Sequence, residues 1–134
     1  MDRSDIKGIL EASEFFRGLE PADIQEISGL CAVETYEPGQ FIYRQGDFGV
    51  RIYIIADGQV VLERSVDLGA RKGTVAIGML AQGRVFGCWS TLLDEPHNFM
   101  SSAYCRKETG LISLKGADLR AMIVRNRTLG FKVL

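Results

Sequence analysis

The 134-residue chain has one histidine, three cysteines, three prolines and one tryptophan, and these scarcities close off whole classes of function. With His97 as its only imidazole, a β-barrel enzyme holding a metal on two or three histidines is excluded. Cys31, Cys88 and Cys105 lie far apart and form no C-x-x-C pair. Their odd number suits a reducing cytoplasm better than a disulfide framework. No apolar run approaches the roughly 18 residues of a membrane span, and Met1-Asp2-Arg3-Ser4-Asp5 opens a charged segment. Neither a signal peptide nor a transmembrane helix is expected, and cytoplasmic residence follows. Charge of one sign is missing too: 16 basic against 17 acidic side chains leave a net charge of -1, so no bulk field draws this segment to nucleic acid or an anionic membrane. No Ser-His-Asp set, metal cluster or pair of carboxylates at motif spacing can be picked out, so catalysis is not expected.

Glycine, by contrast, is abundant. Fifteen glycines mark many turns and favour a β-rich architecture, while 46% hydrophobic and 25% charged residues are ordinary for one globular core. The expected organisation is one domain over 1–134: helices over 1–30, strands over 31–115, and a closing helix over 116–134. Ile6, Ile9, Leu10, Phe15 and Phe16 recur at helical spacing up to Arg17-Gly18, and Pro21 is placed to start a second helix with Ile24, Ile27 and Leu30 along one face. Strands are expected at Val33–Tyr36, Phe41–Arg44, Arg51–Ile55, Gln59–Arg64, Thr74–Leu80, Arg84–Phe86, Phe99–Cys105 and Gly110–Leu114. Asp57-Gly58 between two β-branched runs predicts a hairpin joining the third and fourth of these. The last helix, with Leu119, Met122 and Ile123 on one face, reaches Leu134 without a C-terminal cap. That fits a longer helix that has been cut, or one completed by a partner.

The segment richest in chemistry is Val85-Phe86-Gly87-Cys88-Trp89-Ser90-Thr91-Leu92-Leu93-Asp94-Glu95-Pro96-His97-Asn98. A chain leaving a strand through a glycine into one short helical turn presents unpaired backbone N–H groups to an anion. Together with Tyr36-Glu37-Pro38-Gly39, Gln45-Gly46-Asp47, Tyr53-Ile54-Ile55-Ala56-Asp57-Gly58 and Gly83-Arg84-Val85-Phe86-Gly87, this segment resembles the cyclic-nucleotide-binding domain family, the sensor domain of catabolite activator proteins, from about Phe15 onward. The resemblance implies a mainly β fold, a double-stranded β-helix (a jelly-roll-like β-roll) flanked by N-terminal helices and a C-terminal helix, with a phosphate-binding cassette at 86–98. It also implies cyclic AMP or cyclic GMP as ligand, no required cofactor, and a C-terminal helix that signals to a dimer partner or attached effector. The family's transcription-factor branch has a helix-turn-helix domain after that helix. The sequence to Leu134 contains none, so a stand-alone domain or a fragment is expected.

Two positions depart from the family's cassette. The glutamate that accepts from the ribose 2′-hydroxyl is replaced by Cys88, a weak hydrogen-bonding group. The arginine that pairs with the cyclic phosphate falls on His97 or Asn98, and neither supplies a permanent guanidinium fork. The ligand-binding candidates are therefore Phe86, Gly87, Cys88, Trp89, Ser90, Thr91, His97 and Asn98, with Ser90 and Thr91 hydroxyls as donors. Each has a structural alternative. Gly87 either opens the backbone to phosphate or serves a turn, Cys88 is a low-pKa thiol or a small buried side chain, Trp89 stacks on a base or joins the core, and His97 pairs with phosphate or is solvated. On the ligand-facing reading, Gly87→Val removes anion binding and leaves the roll folded. Gly39, Gly46, Gly58 and Gly83 are assigned positive φ in turns. At the level of function, a ligand-responsive module competes with a ligand-free scaffold that associates through Leu129, Phe131, Val133 and Leu134.

Overall fold

The computed structural model describes residues 5–88 and 97–126. Two helices come first, α1 (Ile6–Ala12) and α2 (Pro21–Leu30), and one comes last, α3 (Gly116–Arg125). Between them run β1 (Ala32–Tyr36), β2 (Phe41–Tyr43), β3 (Arg51–Asp57), β4 (Val60–Asp67), β5 (Lys72–Leu80), β6 (Val85–Gly87), β7 (Ser102–Cys105) and β8 (Thr109–Lys115). They form two antiparallel four-stranded sheets, ordered β1-β8-β3-β6 and β2-β7-β4-β5. The architecture is the expected mainly β roll with helices at both ends.

The first sheet is apolar on both faces, and that explains its sequence. Even-numbered Ile52, Ile54, Ile112 and Leu114 pack against Ile6, Leu10, Phe16, Ile24, Ile27, Leu119 and Met122 from the helical segments. Odd-numbered Tyr53, Ile55 and Leu111 turn the other way, into a roll interior shared with Tyr43, Val60, Ala103 and Cys105 of the second sheet. A strand buried on both sides needs a continuous apolar run rather than alternation, as Tyr53-Ile54-Ile55 and Leu111-Ile112-Ser113-Leu114 show. The second sheet has an open outer side, and its edge strand β5 exposes Val75, Ile77 and Met79.

The hairpin expected at Asp57-Gly58 is not formed. β3 and β4 belong to different sheets, so the pair turns a corner between them. Gly58 has φ +105°, and a Cβ there would lie 2.4 Å from Thr109 Oγ1. The corner is fastened to the start of β8: Gly110 N–H donates to Asp57 Oδ1 (3.0 Å) and Gln59 N–H to Thr109 Oγ1 (3.2 Å). Asp-Gly supplies the tight reversal in either case, and the hydrogen-bond partners decide which strands pair. The long hairpin joins β4 to β5 instead, with Leu68 N–H closing on Arg71 O at 2.9 Å.

Candidate functional site

The cassette leaves the first sheet at the end of β6. Phe86 is buried and stacks on Tyr53, with ring centroids 5.2 Å apart. Gly87 pairs with Ile52 and has φ +120°. A Cβ at Gly87 would sit 2.6 Å from the Arg51 carbonyl oxygen and 3.0 Å from the Tyr53 ring. The missing side chain thus lets β6 lie against β3, and valine here would strain that contact whether or not the glycine also faces a ligand. Cys88 is buried, its N–H donates to Arg51 O (2.9 Å), and its thiol lies 3.9 Å from the His97 carbonyl. Trp89, Ser90 and Thr91 lie outside the described residues.

On the return path, His97 and Asn98 are both exposed. His97 O accepts from Gly49 N–H at 3.0 Å, Asn98 bridges Phe48, and Phe99 N–H donates to Asp47 O at 2.8 Å. Gly49 has little room: a Cβ there would come within 2.9 Å of both Cys88 Cβ and the Phe99 ring. Both ends of the cassette are therefore held by Gly49 and Arg51, the outer two of three consecutive residues. The middle one, Val50, accepts from Gly116 N–H (3.0 Å), the first residue of α3. In the sequence only Gln45-Gly46-Asp47 stands out here, as part of the family resemblance, and this clasp is not revealed. The available signal was Gly49, which sits where two segments crowd together.

In front of the clasp is a cleft of ≈530 Å³ lined by Phe86, Gly87, Cys88 and His97 from the candidate set, with Tyr43, Leu62, Leu80 and Phe99 among its other walls. Asn98 is not among the lining residues. Tyr43 and Phe99 stack face to face, 3.6 Å between centroids and 7° from parallel. Burial raises the Tyr43 hydroxyl above the ordinary tyrosine range, with Tyr53 and Cys88 adding to the shift. Tyr53 is pushed up to about 12, by burial first and then by Glu34, with Arg51 opposing. The cleft therefore offers the neutral Tyr43 phenol and aromatic faces at neutral pH. Arg84, on its rim, is paired through Nε to Glu14 Oε2 at 2.8 Å, and the same carboxylate accepts from Val85 N–H at 3.0 Å. Among the described residues no group of three His, Cys, Asp or Glu side chains could hold a metal ion.

Two sheets closed into a roll, a glycine-marked exit from edge strand β6 and helices packed outside define a helix-flanked β-roll domain. The cyclic nucleotide-binding domain profile matches residues 33–126, and the chain belongs to that family. The cyclic AMP receptor protein of Thermus thermophilus is 34% identical over 116 residues, covering 87% of this chain and 51% of the relative. The crystal structure of Thermus thermophilus catabolite activator protein superposes with a TM-score of 0.72 at 32% identity, over 90% of this chain and 54% of the other. The sensor domain of the transcriptional regulator DNR from Pseudomonas aeruginosa shares the fold, with a TM-score of 0.80 at 16% identity over 96% of this chain and 83% of that one. The chain thus spans about half the length of the receptor protein it matches. No helix among the described residues is long and apolar enough to cross a membrane.

Proposed function

We propose that this chain is a non-catalytic sensory module that binds cyclic AMP or a related anionic ligand in the roll and passes the event to its C-terminal helix. The observation that carries the reading is the clasp. Gly49 and Arg51 hold the two ends of the cassette, and Val50 between them holds the first N–H of α3. A ligand that draws the cassette inward moves the same three residues that position the helix, so the two events share one mechanical element. The far end of α3 is tied to α2 by the Arg125–Glu26 ion pair and by Asn126 Nδ2 donating to Asp23 Oδ1 (3.3 Å), so a shift of α3 strains or releases those contacts. The receptor protein from Thermus thermophilus, a cyclic AMP receptor by name, supports the choice of ligand. Phe86, Gly87, Cys88, Trp89, Ser90, Thr91, His97 and Asn98 are the proposed contact set, and a homodimer partner or attached effector is the proposed recipient of the signal.

A titration with cyclic AMP and cyclic GMP tests this, followed by the fluorescence of Trp89, the single tryptophan, and checked by calorimetry. Saturation at micromolar ligand is the expected result, and silence up to millimolar retires cyclic nucleotides. A second reading, a ligand-free association scaffold, is favoured by the exposed Leu68, Val75, Ile77 and Met79 of the β4–β5 hairpin. It requires self-association of the ligand-free protein.

A further inference from the structure

We infer that Arg51 and Lys115 form the cationic half of the anion site, in place of the cassette arginine that His97 and Asn98 do not supply. The inference rests on the ligand reading above. Strand register puts the pair together: Arg51 lies directly opposite Lys115 in the β3–β8 ladder. On its other side Arg51 O takes the Cys88 N–H, so Cys88, Arg51 and Lys115 stand in one row across the sheet, at strand spacings of about 5 Å. Arg51 shares its face with Tyr53 and Ile55, which fill the roll interior, and its Nη1 donates to the hydroxyl of buried Ser113 at 3.1 Å. Arg51 is thus half-buried on the roll-facing side of β3, beside the point where the cassette begins and adjoining the cleft's Cys88 rather than among the cleft's lining residues.

This arrangement is unfavourable when nothing lies between the two cations. Like charges directly opposite across an antiparallel pair repel. Lys115 is moreover the N-cap of α3, where the helix dipole disfavours a cation. No carboxylate relieves either group among the described residues: the two ion pairs are Glu14–Arg84 and Glu26–Arg125. Glu34, on the interior face, is opposite Leu111 and is engaged by the Tyr36 hydroxyl. Asp118, in the first turn of α3, makes no ion pair with Lys115. An oxyanion between them removes the conflict: the guanidinium fork takes two oxygens and the ammonium adds a point charge. The ligand group so defined is a phosphodiester or similar tetrahedral oxyanion. Because Lys115 immediately precedes α3, its neutralisation acts directly on the start of the helix.

The test uses the whole chain with Arg51→Gln and Lys115→Gln, probed with cyclic AMP by calorimetry and with sodium sulfate, against sodium chloride at matched ionic strength, by thermal melting. Arg51→Gln is expected to weaken cyclic AMP binding about 10- to 100-fold, and the exposed Lys115→Gln about 2- to 5-fold. Ligand-free Lys115→Gln is expected to melt above the wild type, since it has lost the repulsion; a merely structural lysine gives no such rise. If cyclic AMP does not bind the wild type, but sulfate stabilises it and not Lys115→Gln, the nucleotide reading fails and the cation pair stands. If cyclic AMP binds both variants as tightly as wild type, the pair is overturned and the nucleotide reading stands. If neither anion binds the wild type, both fall. Should Arg51→Gln fail to fold for want of its Ser113 bond, Lys115→Gln decides the matter alone.

Discussion

Gly87 shows how much a single position can be asked to do. Valine there must accept φ +120° and displace the Arg51 carbonyl, which lies 2.6 Å from any Cβ. Backbone strain and overpacking each cost about 1 to 3 kcal/mol, so Gly87→Val is expected to lose about 2 kcal/mol or more of folding stability, read from a urea midpoint. An unchanged midpoint would show that β6 can move off β3. Glycines read from the sequence as positive-φ turns, Gly39, Gly46, Gly58 and Gly83, do adopt that conformation. They were legible because loop chemistry is local. The role of Gly87 was only half legible, because the strand behind it comes from residues more than thirty positions earlier in the chain.

Strands and helices were legible in kind and order, since period, turn residues and Pro21 are properties of short windows. Which strands pair was not. Asp57-Gly58 carries the local signature of a hairpin, yet Thr109 and Gly110 of β8 take its hydrogen bonds and make it a corner. Thr109 is fully buried, and its hydroxyl also donates to Lys107 O at 2.8 Å. Thr109→Val is accordingly expected to destabilise by about 1 to 3 kcal/mol, by leaving Gln59 N–H without its acceptor. A chemical-denaturation curve with an unchanged midpoint would remove the corner's claim to be fastened there. Phe16, which follows α1 and is fully buried between helices and sheet, sets the larger scale: Phe16→Ala is expected to cost about 3 to 5 kcal/mol by the same measurement.

Across the whole molecule the roll interior carries three tyrosines with raised ionisation, Tyr36, Tyr43 and Tyr53, all chiefly through burial. The unfolded chain releases its phenolic protons near 10.0, whereas folded Tyr53 holds its proton to about 12. The unfolded state therefore binds fewer protons in that interval. The stability these groups contribute is complete below the ordinary value and is lost as pH rises through it towards about 12. Alkaline unfolding is expected in that window, with tyrosinate absorbance and loss of circular dichroism rising together. Tyrosinate appearing well before unfolding would show a wet interior.

The roll was legible as a whole in the order of its motifs, whereas the clasp arises only when residues 49–51 meet residues 88, 97 and 116. Amide hydrogen exchange at saturating cyclic AMP tests the coupling most directly, followed at the N–H groups of Gly49, Cys88 and Gly116. Cyclic AMP is expected to change protection at all three, so that the start of α3 responds with both ends of the cassette. Bound cyclic AMP with Gly116 unchanged would contradict it.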